Sequence, residues 1–234
     1  MIDTERYSRQ IMIPEIGTDG QTRLAQASVL IVGVGGLGSP VATYLAAAGI
    51  GRLGLCDNDV VSLSNLQRQI LYTSEQIGVP KPDAAYSRLS AMVPELKIDK
   101  LTCLLTEENA TDIISGYDLI IDCSDNFPTR YVLDDACYEL GKTWVYGGVG
   151  AFNGQVAVLN GRAGVRYSML YPDREALCGR ERVTAGVIGP LPGVIGAIQA
   201  TEAIKIIAGF GQPLDGRLMT INLLTNATEI IDLK

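Results

Sequence analysis

Short apolar runs alternate with helix-length segments through the first two thirds of the chain. The runs at 29–32 and 119–121 contain only Val, Leu and Ile, which is typical of strands buried on both faces of a parallel sheet. A turn and a helix-length segment follow each run. This alternation predicts an α/β fold with a Rossmann-like, doubly wound, mainly parallel sheet and right-handed crossovers.

The pattern changes beyond Gly154. Residues 155–159 alternate weakly, as an added strand would, and 218–223 with 229–233 predict a hairpin. We therefore expect antiparallel strands to extend the sheet at its C-terminal end. Residues 162–183 contain five arginines among acidic residues, and we interpret this segment as a long mobile loop.

The whole chain, 1–234, is predicted to form one domain. Its parts are N-terminal helices (1–26), a nucleotide-binding core (27–150) and an antiparallel extension (151–234) that carries the mobile loop and the dimer- and carrier-binding part. Further strands are predicted at 52–56, 96–103 and 143–146, and helices at 39–48, 81–92, 107–115, 129–140 and 194–208.

A glycine-rich turn follows the first predicted strand. Glycines let the backbone turn tightly and approach a phosphate, and the helix that follows offers free N–H groups to that anion. Asp57 lies 19 residues after Gly38 at a strand end, where a carboxylate can bind ribose hydroxyls. This order predicts a nucleotide site, with the alternative that Gly36 and Gly38 serve only close packing of helix on strand. The candidate glycines are Gly33, Gly35, Gly36 and Gly38.

Two cations, Arg68 and Lys81, follow the second acid, Asp59. Cations kept near the turn suit a triphosphate better than a dinucleotide. One alternative is that Arg68 forms a structural ion pair with Asp57 or Asp59. Another is that Lys81 is a solvated residue in the first turn of a helix, which is unfavourable without a nearby anion. Arg130 is predicted to lie on a helix surface.

Charge and hydropathy limit the partners of the chain. It has 19 basic and 26 acidic residues, which disfavours nucleic acid as the main partner. No apolar segment follows a basic N-terminus, and the apolar region 188–207 is interrupted by Gln199, Glu202 and Lys205. We expect no signal peptide, no membrane association and a cytoplasmic location.

The chain contains no histidine and no Cys-x-x-Cys pair. That removes the usual zinc spacings and any histidine general base. Cys56, Cys103 and Cys123 end apolar strands, so we expect them to be buried as small hydrophobic side chains. Chemistry then depends on carboxylates, cations and a metal with oxygen ligands, with one thiol as a further candidate.

A set of short motifs occurs in order along nearly the whole chain. The motifs are Arg6-Tyr7-Ser8-Arg9-Gln10, Gly33-Val34-Gly35-Gly36-Leu37-Gly38, Asp57-Asn58-Asp59-Val60, Asn65-Leu66-Gln67-Arg68-Gln69, Pro80-Lys81, Asp122-Cys123-Ser124-Asp125-Asn126, Gly186-Val187-Ile188-Gly189-Pro190-Leu191-Pro192-Gly193 and Gln199-Ala200-Thr201-Glu202-Ala203-Ile204-Lys205. This set resembles the ThiF/MoeB/HesA family, the bacterial relatives of the ubiquitin-activating enzymes. It is far more specific than the glycine turn alone.

The resemblance implies a reaction and its participants. Members bind MgATP and the Gly-Gly tail of a ubiquitin-like sulfur-carrier protein, attach AMP to its terminal carboxylate and release pyrophosphate. By the same resemblance, Asp57 binds the ribose, Asp125 binds Mg²⁺, which prefers oxygen ligands, and Arg9 reaches across a homodimer to the partner's ATP. The phosphates are assigned to Asn65, Arg68 and Lys81, with Asp59, Gln69 and Asn126 as further nucleotide-binding candidates. Asp125 and Asn126 are also candidate helix caps.

The sequence departs from the family in two places. Many members carry two Cys-x-x-Cys pairs that hold a structural zinc. One would fall near 166–169 and the other after the last strand, and this sequence has neither, so we predict no zinc. Many members also carry a cysteine where this chain has Arg182. Cys178 lies nearby and is either a bystander or a thiol that forms a covalent adduct with the carrier.

The leading hypothesis is an adenylyltransferase that serves thiamine (thiazole) biosynthesis, because the short form without zinc is closest to a zinc-less ThiF. The same reaction on the small subunit of molybdopterin synthase is an alternative. An NAD-dependent oxidoreductase would explain Asp57 but leaves the cations and Asp125 without a role. A non-catalytic scaffold would bind a carrier without ATP–pyrophosphate exchange.

Overall fold

The computed structural model of the chain describes residues 2–180 and 186–233. In that part, eight strands form one sheet in the order β3-β2-β1-β4-β5-β6-β7-β8. The first five strands pair in parallel, and β6, β7 and β8 add antiparallel pairs beside β5. The strands are β1 Ser28–Val32, β2 Arg52–Cys56, β3 Lys97–Leu101, β4 Leu119–Asp122, β5 Trp144–Gly150, β6 Asn153–Leu159, β7 Arg217–Asn222 and β8 Ala227–Asp232.

The prediction of a doubly wound, mainly parallel sheet with an antiparallel extension is confirmed. The hairpin predicted near the C-terminus is β7 and β8. The third strand and the helix after it are shorter than predicted. The helices are α1 Ser8–Ile11, α2 Gly17–Gln26, α3 Gly38–Ala48, α4 Lys81–Met92, α5 Ala110–Ser115, α6 Phe127–Glu139, α7 Tyr167–Leu170, α8 Arg174–Cys178 and α9 Pro190–Ala208.

Both faces of the sheet are buried at its central strands, such as β1 and β4, whereas β8 is exposed along its length. Along β1, Val29 and Ile31 point into the core on one face, and Leu30 and Val32 point into the core on the other. Successive side chains of a strand point to opposite faces, so a run without polar residues is what a strand covered on both sides requires. Each fully buried Val, Leu or Ile contributes about 1.5–3 kcal/mol relative to an exposed position.

Helix α9 lies against the sheet and the glycine-turn helix α3. It is the one helix in the described ranges that is long and apolar enough to cross a membrane, and half of it is buried within the protein. Its acid, Glu202, is buried and binds the Lys205 ammonium at 2.6 Å and the Leu214 N–H at 2.7 Å. The buried charge of Glu202 is therefore paired within the protein, as a charged group in a protein core must be.

The prediction of a long loop at 162–183 is wrong for its described part. Residues 162–180 contain α7 and α8. The Arg166 guanidinium lies 2.9 Å from the buried carboxylate of Asp134 on α6, which also accepts the Tyr167 N–H at 2.8 Å. A buried carboxylate requires hydrogen-bond donors, and this segment provides them to Asp134. The contacts therefore hold the segment against α6. Residues 181–183 lie outside the described part.

Candidate active site

The candidate residues gather where β1, β2 and β4 end. The glycine turn follows β1, Asp57 follows β2, and the Ser124-Asp125-Asn126 run follows β4. The carboxyl ends of parallel strands lie on one edge of the sheet, where open α/β sheets bind their ligands. The parallel pairing of β1 with β2 and β4 therefore brings these three segments to one edge.

The turn itself requires glycine at both of its ends. Gly33 has φ +91°, and a Cβ there would lie 2.6 Å from the carbonyl oxygen of Cys123. A Cβ on Gly38 would overlap the carbonyl oxygen of Gly33. Both positions therefore exclude a side chain because the backbone passes too closely. Between them, Gly35 faces Gln69, and Gly36 faces a proline of α9, so close packing accounts for part of the glycine pattern.

Two neighbours hold the middle of the turn. The Val34 N–H donates to Asp57 Oδ2 at 2.7 Å, and the Tyr72 hydroxyl donates to the Val34 carbonyl at 2.6 Å. The N–H groups of Gly35 and Gly36 have no hydrogen-bond partner among the described residues. Together with the N-terminus of α3 just beyond, they form an arrangement that favours an anion. Tyr72 was not singled out by the sequence, because a tyrosine in a loop carries no local signal of this contact.

The side chain of Asp57 is only 9% exposed, and backbone donors already hold it. Its Oδ2 accepts from Val34 and its Oδ1 accepts the Asp59 N–H at 2.9 Å. Burial raises the pKa of this carboxyl, and the Lys81 ammonium and the two N–H donors oppose the rise. Each carboxylate oxygen keeps a further lone pair for another donor. The geometry therefore suits the binding of a ribose hydroxyl.

Lys81 is buried, with 4% of the residue exposed, although it is the first residue of α4. Its ammonium lies 2.8 Å from Asp59 Oδ2 and 3.8 Å from Asp57 Oδ2. The alternative of a solvated lysine is therefore wrong. A cation at a helix N-terminus is unfavourable by itself, so the two carboxylates provide the opposing charge that holds it there.

Arg68 and Asn65 belong to a short 3₁₀ turn, Leu63–Asn65, and its continuation. The Asn65 side chain accepts the Ser62 N–H at 3.2 Å, and the Arg68 guanidinium donates to the Ser64 carbonyl at 3.1 Å. Within the ranges that the structure covers, Arg68 makes no ion pair with Asp57 or Asp59, so that alternative is not observed. Its aliphatic stem lies beside Gly36, which brings it to the turn.

Gln69 lies against the turn. The residue is buried, and its Oε1 has no hydrogen-bond partner within the described part of the chain. Its amide nitrogen would lie 3.4 Å from a Cβ on Gly35. A buried polar atom without a partner is unfavourable by about 1–3 kcal/mol. Gln69 therefore places beside the turn a polar group whose hydrogen-bonding capacity the described residues leave unused.

Behind Asp125, the structure reveals a buried ion pair. The Arg130 guanidinium lies 3.1 Å from Asp122 Oδ2, and both residues are buried. The prediction that Arg130 lies on a helix surface is therefore wrong, because β5 and α7 cover this side of α6. Burial raises the pKa of Asp122, and the Arg130 charge opposes that rise. Asp122 belongs to one of the family motifs, and the sequence alone indicated no role for it.

Asp125 itself is exposed at the edge of the sheet. Asn126 is the N-cap of α6, since its side chain accepts the Thr129 N–H at 2.9 Å. The prediction that Asn126 caps this helix is confirmed, and the alternative that Asp125 is the cap is wrong. The described residues contain no group of three or more potential metal-ligating side chains. A single carboxylate at Asp125 fits Mg²⁺ only where phosphates and water complete its coordination.

Two predicted residues lie away from this cluster. Arg9 is exposed on α1, whose Gln10 donates to the Ala48 carbonyl at the last residue of α3. The glycine turn is at the other end of α3, about 16 Å away along an 11-residue helix. Cys178 ends α8 and is half-buried, and Arg182 lies outside the described residues. Cys56 and Cys123 are buried as predicted, and Cys103 is only half-buried.

Fold and site together define an α/β protein of Rossmann-like fold with a glycine-rich turn after its first strand. A family model described as the ThiF family matches residues 7–234. The chain therefore belongs to the ThiF family, as the resemblance of its motifs indicated.

Its relatives are adenylyltransferases. A sulfur carrier protein adenylyltransferase of Thermus thermophilus is 45% identical over 232 residues, covering 95% of this chain and 84% of that protein. A probable molybdopterin-synthase adenylyltransferase of Porphyra purpurea is 45% identical over 226 residues, covering 96% and 59%. An adenylyltransferase and sulfurtransferase MOCS3 of Drosophila yakuba is 48% identical over 222 residues, covering 93% and 48%. The chain thus spans only about half to four fifths of these relatives.

Solved structures share the fold. The structure of E. coli MccB with MccA-N7isoASN has a TM-score of 0.89 at 20% identity, covering 100% of this chain and 72% of that one. The structure of PaaA has a TM-score of 0.84 at 24% identity, covering 99% and 73%. At these identities the likeness is one of fold.

Proposed function

We propose that this chain uses ATP to adenylate the C-terminal carboxylate of a ubiquitin-like sulfur-carrier protein that ends in Gly-Gly. The observation that carries the proposal is the buried Lys81 ammonium, held by Asp57 and Asp59 beside a turn in which two N–H groups have no partner among the described residues. A cation kept beside the turn suits a triphosphate better than a dinucleotide. The named activities of the relatives support the same reaction.

The reaction needs no general base. A carboxylate oxygen of the carrier attacks the α-phosphorus of ATP and forms an acyl–phosphate bond. The bond from the α-phosphorus to the bridging oxygen breaks, and that oxygen leaves with both electrons as part of pyrophosphate. No proton is transferred, so a chain without histidine loses nothing. Catalysis then consists of placement and charge neutralisation.

The residues divide these tasks. Asp57 binds the ribose, Gln69 accepts from the nucleoside, and Asn65 orients the phosphates. Arg68 and Lys81 neutralise charge on the transferring group, whose negative charge otherwise repels the incoming carboxylate. Asp125 would hold Mg²⁺, which supplies further neutralisation of the phosphates when bound. Asp59 keeps the Lys81 ammonium in place.

The assembly we propose is a homodimer. Arg9 is too far from the turn of its own chain to act there, since α1 lies at the opposite end of α3. In the proposed homodimer, Arg9 of each copy instead enters the site of the other copy, which is consistent with its position at the far end of α3. Cys178 is the candidate thiol for a covalent carrier adduct, and the cytoplasm is the expected compartment.

For the pathway, we retain thiamine biosynthesis as the first proposal. The relatives carry both sulfur-carrier and molybdopterin-synthase names, so the molybdopterin pathway is the second. A non-catalytic scaffold is a third possibility, and it differs because it binds the carrier without turnover.

The experiment that tests the function is ATP–pyrophosphate exchange with purified carriers that end in Gly-Gly. We expect exchange with one carrier, lost in Asp125→Ala and retained in Asp112→Ala, which removes an exposed acid on α5. The carrier that supports exchange identifies the pathway. Tight carrier binding without exchange would instead support the scaffold, and the absence of both would overturn the proposal.

A further inference from the structure

A buried ion pair lies directly behind Asp125. Asp122 is the last residue of β4 and is fully buried, and Arg130 lies in the first turns of α6. Their charged groups are 3.1 Å apart, between Arg130 Nε and Asp122 Oδ2. Such a pair contributes little net stability, because desolvation offsets the attraction of the charges. What the pair does for the fold is therefore to be found in its hydrogen bonds to the neighbouring backbone.

The pair holds Ser124 from both sides. Asp122 Oδ1 accepts the Ser124 N–H at 2.9 Å and the Ser124 hydroxyl at 2.5 Å. Arg130 Nη2 donates to the Ser124 carbonyl at 2.9 Å. That carbonyl belongs to the planar peptide unit that includes the Asp125 nitrogen. Arg130 therefore fixes the orientation of the Ser124–Asp125 peptide plane.

The other side of Asp125 is fixed as well. Asn126 caps α6 through the Thr129 N–H. Arg130 Nη2 also donates to the Gly147 carbonyl at 3.2 Å, which ties the end of β4 to β5. The guanidinium lies 5.2 Å from the centre of the Tyr146 ring. A planar fork with several donors can make these contacts together, and a lysine ammonium cannot.

We propose that Arg130 is a positioning residue for adenylation, which acts through Ser124 to aim the Asp125 carboxylate at the nucleotide phosphates. The inference rests on the proposed function and assigns to a buried arginine a role in the geometry of the site. Partners that orient a metal-binding carboxylate typically change metal affinity or activity by about 10–100-fold when they are replaced.

The test compares Arg130→Lys with Arg166→Lys. Both variants keep the positive charge and lose the planar guanidinium. Arg130 pairs with the buried Asp122 beside Ser124, whereas the ion pairs of Arg166 in the described part of the chain are with Asp134 and Asp135 on α6. We expect Arg130→Lys to lower the exchange rate about 10–100-fold and to raise the Mg²⁺ concentration that gives half-maximal exchange. We expect Arg166→Lys to lower the melting temperature with the Mg²⁺ dependence unchanged.

A milder variant covers the case in which Arg130→Lys does not fold. Ser124→Ala removes only the hydroxyl that binds Asp122, and we expect a smaller rise in the Mg²⁺ requirement. If foldable variants of both residues show the wild-type Mg²⁺ dependence, the positioning role is wrong.

Amide hydrogen exchange separates this inference from the proposed function. If the wild type shows no pyrophosphate exchange with any carrier, the proposed function fails. The effect of Arg130 on the backbone at 124–126 can still be measured by amide hydrogen exchange. We expect faster amide exchange at residues 124–126 in Arg130→Lys than in Arg166→Lys. Unchanged amide exchange at 124–126 in Arg130→Lys would show that Arg130 does not hold this segment. Faster amide exchange with an unchanged Mg²⁺ dependence of pyrophosphate exchange would show that Arg130 stabilises the segment without positioning Asp125 for the reaction.

Discussion

The Lys81 ammonium lies 2.8 Å from Asp59 Oδ2 at the very start of α4, with almost none of the lysine exposed. The second carboxylate within reach, on Asp57, has 9% of its side chain exposed, and its pKa is raised despite this cation. The site thus holds one ammonium between two carboxylates, and a phosphate bound there would compete with them for it.

Lys81→Met is expected to destabilise the protein in a pH-dependent manner. Without the cation, burial raises the pKa of Asp57 further, while the unfolded chain keeps a value of about 3.9. A raised folded pKa leaves stability intact below the unfolded pKa and removes it as pH rises through the folded value. We therefore expect a deficit of about 1–3 kcal/mol near pH 7 that shrinks toward pH 4, measured by urea unfolding.

The matched control for Lys81→Met is Lys100→Met. The Lys100 ammonium pairs with Asp83 at 2.6 Å on the surface, where both side chains are more than 40% exposed. It has no buried carboxylate to leave unpaired, so no comparable pH dependence is expected. Equal pH profiles for the two variants would contradict a role of Lys81 in holding Asp57 ionised.

Gly38→Ala is expected to disrupt the turn. The added methyl group would overlap the Gly33 carbonyl oxygen, and overpacking of this kind costs about 1–3 kcal/mol. Displacement of the turn should also abolish ATP binding, measured by isothermal titration calorimetry. Gly193→Ala on α9 is the control, because its methyl group would meet nothing within 4 Å and should stabilise the helix slightly. Normal ATP affinity in Gly38→Ala would show that the turn does not contact the nucleotide.

A mixture of Arg9→Ala and Arg68→Ala proteins is expected to regain activity. Each mixed dimer would have one site with both arginines intact, so random pairing restores about a quarter of the wild-type exchange rate. The physical reason is the placement of Arg9 at the far end of α3 from the turn. The double variant mixed with either single variant should stay inactive. A mixture that remains inactive after subunit exchange would rule out the shared site.

Arg166→Ala is expected to lower the free energy of unfolding by about 3 kcal/mol, because it leaves the buried Asp134 carboxylate without its cation. Arg174→Ala removes two ion pairs, with Glu107 and Asp135, whose side chains are 78% and 52% exposed, and it should cost less than about 1 kcal/mol. Urea denaturation of the two variants provides the comparison. A similar small loss in both would mean that Asp134 is held by its backbone donors alone.

Much of this protein can be predicted from local sequence pattern. The apolar runs predict a sheet covered on both faces, because a strand such as β1 has no polar side to expose. Gly33, Gly38 and the Asn126 cap are also local. Gly33 has a positive φ, Gly38 lies against the Gly33 carbonyl, and Asn126 accepts the Thr129 N–H. The alternating strands and helices then place the strand ends, and with them Asp57 and Asp125, on one edge.

The charged residues show what the sequence leaves open. Lys81, Arg130 and Arg166 each occupy a segment whose local pattern is typical of a solvated surface, and in the folded chain each binds a buried acid. Whether a cation is buried depends on the element that covers it and on the carboxylate that this element brings, which are contacts between residues far apart in the chain. The sequence by itself determined the sheet, the glycine-rich turn and the family. Only the tertiary structure decided which charges face the site and which hold it in place.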